Sequence, residues 1–573
     1  MVRFVDLLTE HLQATLVSGE NYHPLFRVLP PQRADGALEF LRRSYPCYGC
    51  PSVVRFIRTY PDGTFLNIRK TMSLALAISS LFLQIVPAAT GQAPRELRFQ
   101  APKTPPANLS AIRSSLEQSV LSDKLPSFAV CVVQSGRTIW DEAFGWADRE
   151  KKIKASCDTL YPVASVSKAF TATGVFILAQ RGLIKLDRPV QDYLGPVRLK
   201  SLIPGVGSPS VLEILNMTGG IPHYAKYYWD QASERPTTPA MLERYASIAF
   251  PPGKYFHYSN LSYSLAEQVI AQVTGGSFEE WMRRDLFHPL GMERTLLRVP
   301  PGLKNETAKP YDSGNRRAPD FDFYPKGGAG FYSTAHDLVR FGMCHLGQSL
   351  PGGKVILIPA QLQAIHHITN PPSVMPRYAN GWGVLDFGAK GSALVSNGEI
   401  LGASATLVLL PTRGVAIACL SNVNVEPRIS DTVAFQIADV LSPGFEKDFE
   451  SAKTAFEARE KATEPLAGLK GHWHGHIATP DESMPFRLRV ESDGTTSVQF
   501  KDQREVALEQ VRFNGKMLQG SFAGKAQPTQ PGTEPPEISI ELYKDRDALE
   551  GVVTFTTSKK PGLVEAPAFV QKQ

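Results

Sequence analysis

A single Ser-x-x-Lys, Ser165-Val166-Ser167-Lys168, opens the segment that most constrains this chain. The residues after it, Ala169 to Arg181, read as a helix: Val166, Phe170, Thr173 and Ile177 fall at helical spacing, and Gly182 is a natural stop. Three residues is close to one helical turn, so Ser165 and Lys168 share a face. A serine at a helix N-terminus has backbone N–H groups and the positive end of the dipole beside it. A lysine one turn on reaches its hydroxyl, and where burial lowers the amine's pKa it can take the serine's proton. Four residues with two fixed positions are weak evidence alone, since a capping serine followed by a surface lysine looks the same. The rest of the chain must separate the two.

The chain has 573 residues, enough for two to four domains. Its net charge of +6 is small for that length and no long basic run occurs, which argues against nucleic acid as a partner. Cys47 and Cys50 form a lone C-x-x-C with no second pair or histidine cluster, so no zinc or redox role is assigned to them. Cys131, Cys157, Cys344 and Cys419 lie among apolar residues and read as buried core thiols.

Residues 1–71 lack periodic pattern and are expected to be a disordered or untranslated extension. From Met72 an apolar run follows Arg69-Lys70 and ends in Ala89-Thr90-Gly91, the three parts of a secretory signal over 72–91. Translation from Met72 with cleavage near Gln92 is one expectation; an uncleaved anchor through residues 72–89 is the other. Both place the remainder outside the cytoplasm, in a periplasmic or extracellular setting.

A linker over 94–110 leads to a helix over Ala111–Leu121. Phe128–Val133 and Thr138–Phe144 read as a hairpin turned at Ser135-Gly136. After the Ser165 helix, Val211–Met217 is a helix stopped by Thr218-Gly219-Gly220. Pro251 to Asn260 is a turn-rich loop carrying Tyr258-Ser259-Asn260, with a helix from there to Thr274. A tyrosine beside Lys168 can relay protons to Ser165 and a leaving group, and Asn260 can hydrogen-bond the lysine or a substrate amide. Tyr378-Ala379-Asn380 fits the same pattern, so the tripeptide alone does not select. Lys326 to Asp337 is glycine-rich but lacks a lysine after the glycines, so close backbone packing explains it better than a phosphate loop. Thr334 and Asp337 read as a capping box for a helix Leu338–Leu346. Strands over Ala393–Glu399, Ala405–Leu410 and Gly414–Asn422 close the region. Helices in the middle with strands before and after predict an α/β sandwich.

Ser165-x-x-Lys168, Tyr258-x-Asn260 and the strand around Gly398 occur in the order that resembles the serine β-lactamase and penicillin-recognising superfamily. The flanks resemble its class C branch of β-lactamases, D-alanyl-D-alanine carboxypeptidases, D-aminopeptidases and esterases. They are Gly182-Leu-Ile-Lys-Leu-Asp-Arg-Pro-Val, Pro252-Gly-Lys-Tyr-Phe-His-Tyr-Ser-Asn, Gly330-Phe-Tyr-Ser-Thr-Ala-His-Asp-Leu and Asn380-Gly-Trp-Gly. The resemblance spans roughly residues 105–440. It implies a β-lactamase-like antiparallel sheet with flanking helices and an all-helical subdomain over 105–442. It also implies Ser165 as acylated nucleophile, Lys168 and Tyr258 as shared general base and acid, and an oxyanion hole from the N–H groups of Ser165 and Glu399. Asn260, Ser396, Gly398 and Glu399 are the implied substrate-side residues. The chain departs from the pattern at Ser396, where family members carry Lys or His, and at Asn216-Met-Thr-Gly219, where His-x-Ser-Gly is usual. Loss of that cation disfavours substrates recognised by a carboxylate.

Beyond it, Phe445, Phe449, Ala452 and Phe456 share one face of a charged connector helix over 445–463. Residues 465–573 alternate, as in Phe486, Leu488 and Val490 against Arg487, Arg489 and Glu491, with Asp493-Gly494 and Asn514-Gly515 as turns. They predict a small antiparallel β-barrel whose opening Leu-x-Gly-x-Trp-x-Gly resembles lipocalin-like barrels. His472, His474 and His476 alternate on one strand with no carboxylate or cysteine partner, and are expected to be structural or solvent-facing rather than metal ligands. Gln527–Pro536 is a proline-rich loop.

The expectation is an exported serine hydrolase acting through a Ser165 acyl-enzyme on an ester or amide: an esterase, D-amino-acid peptidase or weak β-lactamase. No metal or cofactor is called for, and the partner is a small-molecule or peptide substrate. The alternative is a catalytically weak penicillin-binding-like protein that binds peptidoglycan or peptide, for which Ser396 and Asn216 speak.

Overall fold

The computed structural model describes residues 104–573 except 224, 230–234, 321, 350, 370–376, 461–463, 502, 524–536 and 558–561. The C-x-x-C, the signal-like segment and the proline-rich loop lie outside the described residues. Among those described, no helix is long and apolar enough to cross a membrane.

Helix α1 (Ser110–Leu121) precedes the hairpin β1 (Ser127–Gln134) and β2 (Arg137–Asp148). Its turn works because Ser135 and Gly136 both accept positive φ, 49° and 76°. Strand β3 (Ile153–Lys154) leads to α2 (Ser167–Gln180), then α3 (Val211–Leu215), α4 (Asn260–Thr274) and α5 (Ala335–His345). Strands β4 (Arg377–Ala379), β5 (Trp382–Asp386), β6 (Ser392–Ile400), β7 (Ala403–Leu410) and β8 (Val415–Ser421) follow, then α6 (Ile429–Leu441) and α7 (Phe445–Glu460). The eight strands form one sheet in the order β4-β5-β6-β7-β8-β1-β2-β3. Both chain ends of the domain thus meet at its centre, where β1 pairs β8 antiparallel, Val130 opposite Cys419.

Alternation along the central strands feeds two cores. Ala129, Cys131 and Val133 of β1, with Leu407, Leu409, Ala416 and Ala418, face α2, α4 and α5. Phe128, Val130 and Val132, with Val408, Ile417 and Cys419, face α1 and α6. Helix α5 approaches the sheet closely at Gly342, where a Cβ would lie 2.6 Å from Leu409 Cδ2. Helix α7 packs through Phe445 and Phe449 on Phe435 of α6, rings 5.5 and 4.8 Å apart.

The C-terminal strands are β9 (Gly471–Ala478), β10 (Ser483–Val490), β11 (Thr496–Phe500), β12 (Val506–Ala507), β13 (Glu509–Phe513), β14 (Met517–Ala523), β15 (Glu537–Asp545), β16 (Ala548–Thr557) and β17 (Gly562–Lys572). They make a nearly closed antiparallel barrel in the order β12-β11-β10-β9-β17-β16-β15-β14-β13. Trp473, Phe486, Leu488, Leu518, Ile540, Leu549 and Val570 fill it. On β9, His472 and His476 are exposed while Trp473 and Ile477 are buried.

Three local expectations need correction. Cys157 is only half-buried, unlike Cys131, Cys344 and Cys419. Helix α5 begins at Ala335, three residues before the expected Leu338. Thr334 caps it by accepting the Asp337 N–H, but the Asp337 carboxylate does not return to close a capping box. It accepts instead from the Arg294 N–H and the Thr295 hydroxyl, each at 2.9 Å.

Candidate active site

Ser165 sits in a 3-10 turn, Ala164–Val166, immediately ahead of α2 rather than in the helix. Ala164 takes φ +44°, a conformation costly for a residue with a Cβ and typical of tightly held sites. The turn is pressed from the sheet side by β6. A Cβ on Gly398 would overlap the Ser165 backbone N and the Val163 carbonyl, so only glycine fits there. Strand β5 pairs β6 only over Ser392–Val395, and no described strand covers Ser396–Ile400 on that edge.

Lys168 is buried, 1% exposed, on the first turn of α2. Its Nζ lies 3.1 Å from Ser165 Oγ, 2.6 Å from Asn260 Oδ1 and 2.8 Å from the Gly328 carbonyl O. Burial pushes this amine well below the usual lysine range. A neutral amine has two N–H bonds and one lone pair. Asn260 Oδ1 and Gly328 O can only accept, so in the neutral form they would take both hydrogens and leave the lone pair for the Ser165 hydroxyl. The Tyr258 hydroxyl donates to Ser165 Oγ from the other side, 2.9 Å away.

Each partner is fixed by local structure. Ser259 caps α4, accepting the Ser262 N–H at 2.9 Å and donating to the Pro222 carbonyl at 2.7 Å, which sets the positions of Tyr258 and Asn260. Asn260 Nδ2 lies 3.2 Å from His223 Nε2. Burial holds His223 well below the usual histidine range, and the neutral tautomer protonated at Nδ1 would accept from Asn260 Nδ2 and keep Oδ1 toward Lys168. The Gly327-Gly328 loop is held by Glu267, whose carboxylate accepts the Gly327 N–H at 2.6 Å, and by Thr171, which donates to the Gly327 carbonyl at 2.8 Å. A Cβ at Gly327 would lie 2.7 Å from the Tyr263 carbonyl O, in keeping with close packing as the reason for these glycines.

The structure therefore brings Ser165, Lys168, Tyr258, Asn260 and Gly398 together. Ser396 is buried at 3% exposure and directs its hydroxyl to the Gly381 carbonyl at 3.4 Å. The Glu399 side chain is exposed and turns to Asn424 Nδ2 at 2.9 Å, so only its backbone is left for the site. Asn216 Oδ1 accepts from the Thr218 hydroxyl at 2.6 Å and shapes a polar cleft of about 530 Å³ with Glu213, Thr218 and Thr369, which contains none of the Ser165 group. Tyr378, the second Tyr-x-Asn tyrosine, lies behind the site with its ring 6.4 Å from that of Tyr258. Sequence reasoning missed Gly328, His223 and Glu267. None carries a local signal, because each acts through a contact distant in sequence. No group of His, Cys, Asp and Glu suited to a metal occurs among the described residues.

A buried lysine and a tyrosine converging on a serine ahead of a helix, flanked by an antiparallel sheet, define the serine β-lactamase and penicillin-binding class of fold and site. The chain belongs to the Beta-lactamase family, whose sequence model matches residues 112–442. It is 25% identical over 346 residues to Protein flp of Staphylococcus aureus (strain MW2), covering 57% of this chain and 66% of that protein. The chain thus spans just under two thirds of that curated relative. Among solved structures, the octameric penicillin-binding protein homologue from Pyrococcus abyssi aligns over 81% of this chain and all of its own, at TM-score 0.51 and 18% identity. A class C β-lactamase aligns over 58% of this chain and 96% of its own, at TM-score 0.50 and 21% identity. These two likenesses are of fold.

Proposed function

We propose that this protein is an exported serine hydrolase that forms an acyl-enzyme on Ser165 with an ester or an amide of small or D-amino-acid type. The observation that carries this reading is the buried Lys168 amine, its Nζ 3.1 Å from Ser165 Oγ and held by Asn260 Oδ1 at 2.6 Å and the Gly328 carbonyl at 2.8 Å. In the proposed cycle the Ser165 proton passes to Lys168 as Oγ attacks the carbonyl carbon. The oxyanion is held by the Ser165 and Glu399 N–H groups. Tyr258 delivers a proton to the leaving group and is resupplied from Lys168. Water then reverses these steps to release the acid. Activity falls on the acid side as Lys168 takes up a proton and its lone pair is lost.

Ser396 supplies no cation, which supports neutral esters or amides over substrates bound through a terminal carboxylate. A chromogenic panel of p-nitrophenyl acetate, D-alanyl p-nitroanilide and nitrocefin tests this. The expected order has the ester fastest and nitrocefin slowest. Hydrolysis of none, or rates unchanged in Ser165→Ala, would return the protein to the alternative of a weak peptidoglycan- or peptide-binding relative. Export rests on the signal-like segment 72–91; a native protein starting near Gln92 by intact mass is the expected result, and peptides from residues 1–60 would contradict it.

A further inference from the structure

The barrel turns one face toward the catalytic domain. With Ile540, Leu542, Leu549, Val553, Ala566 and Ala568 pointing inward, Glu541, Tyr543, Val552 and Glu565 of β15–β17 point outward. There Val552 packs with Phe250 and Ala249, and Tyr543 stacks on Tyr255 with ring centroids 3.9 Å apart. Lys254 pairs with Asp545 at the exposed margin, 2.7 Å apart.

Glu565 lies inside this contact, 7% exposed. A carboxylate so buried is costly unless its oxygens are satisfied. One oxygen, Oε2, accepts from the His223 backbone N–H at 2.5 Å and from His257 Nε2 at 3.0 Å. Glu541 stands 3.8 Å from the opposite nitrogen of His257. Burial works against a charge on His257, but Glu565 and then Glu541 outweigh it and raise its pKa. Both residues that Glu565 grips adjoin the catalytic group. His257 precedes Tyr258 in the chain. His223 orients Asn260 through its ring nitrogen and meets the Tyr258 ring edge-on, centroids 5.0 Å apart.

We propose that Glu565, delivered by the barrel, is a positioning residue of the Ser165 site. Its single oxygen pins the His223 and His257 loops to one another, fixing the Asn260 amide that holds Lys168 and the tyrosine that faces Ser165. The barrel is then a structural part of the active site. This rests on the serine-hydrolase reading. Glu565 touches no reacting atom; it acts through His223 and His257.

The test is the rate of Ser165 labelling by a fluorophosphonate in the full chain, resolved into maximal rate and half-saturating concentration. Glu565→Ala is expected to lower the maximal rate on the order of ten- to a hundredfold, since small misplacements of a reacting group have effects of that size. Half-saturation should stay close to wild type, while the unpaired His223 N–H lowers the melting temperature. Glu565→Gln keeps an acceptor oxygen in place and should recover to within about threefold of wild type. Lys254→Ala breaks only the outer ion pair and should label at the wild-type rate. If Glu565→Ala does not fold, Glu565→Asp, which withdraws the carboxylate by one methylene, must show the same fall. A wild-type rate in the Ala or Asp variant, no recovery with Gln, or an equal loss in Lys254→Ala would each overturn the proposal. A wild-type protein that labels nowhere would instead overturn the serine-hydrolase reading.

Discussion

The two large sheets are both antiparallel and are built to opposite plans. In the catalytic domain β7 and β8 are buried at every residue, because helices cover both faces. In the barrel β10 alternates exposed and buried without a break. A sheet covered on both sides leaves little freedom to what packs on it, and the Ser165 turn is wedged between α2 and Gly398. The barrel has one filled interior and a polar outside, and the outward face of β15–β17 departs from that plan at Val552 and Glu565. Rigidity thus comes from the covered sheet, while one carboxylate, Glu565, comes from the half-covered one.

Five predictions sharpen or break this contrast. The largest effect is expected of Lys168→Met, which removes the proposed base and should lower hydrolysis by about 10³-fold or more. Because burial depresses this amine's pKa, the folded chain binds fewer protons there than the unfolded chain, so Lys168 costs stability below the free lysine pKa and less as pH rises toward it. The variant should therefore melt higher at pH 7 by calorimetry while being inactive; a lower melting temperature would contradict the buried neutral amine. In the barrel, Trp473 is fully buried and donates to the Leu469 carbonyl at 2.8 Å. Trp473→Ala should cost about 3–5 kcal/mol in denaturant unfolding.

Glycines separate the regions further. Gly398→Ala should slow acylation by about 10²-fold by displacing the Ser165 turn. Gly475→Ala, whose Cβ would strike the Phe569 carbonyl across the barrel strands, should lower stability by about 1–3 kcal/mol and leave acylation rates unaltered. Equal kinetic losses in both would erase the distinction. The last effect depends on pH and lies at Glu267, whose carboxyl burial pushes up to about 7. Its raised pKa means the protonated form is favoured on folding. That stabilisation is complete below pH 4.5 and is lost as pH rises to about 7. Glu267→Gln keeps an acceptor for Gly327 and should flatten stability against pH by on the order of 2–3 kcal/mol across that window.

What the sequence disclosed follows from locality. Ser165 and Lys168 lie one turn apart, Tyr258 and Asn260 flank a helix cap, and β10 announces itself by alternation, so each was readable from a few residues. The flank Pro252-Gly-Lys-Tyr-Phe-His then singled out Tyr258 over Tyr378, which fits the same tripeptide and also lies between Lys168 and Gly398. Gly328, His223 and Glu565 were not readable. A carbonyl from residue 328 and a carboxylate from residue 565 have no periodicity, and their roles arise only when segments hundreds of residues apart pack together. The missing capping box has the same origin: the Asp337 carboxylate is drawn to Arg294 and Thr295 by tertiary contact. Cys157 sits in a turn between the polar Ser156 and Asp158 and is only half-buried.

The central claim is that Ser165 is the nucleophile, activated by a neutral Lys168. Intact-mass spectrometry of the full chain after exposure to a fluorophosphonate tests it most directly. The account predicts one adduct on the wild-type protein, mapped to Ser165 and absent from Ser165→Ala, with labelling slowed in acid as Lys168 is protonated. No adduct on the wild type, or equal labelling of Ser165→Ala, would contradict it.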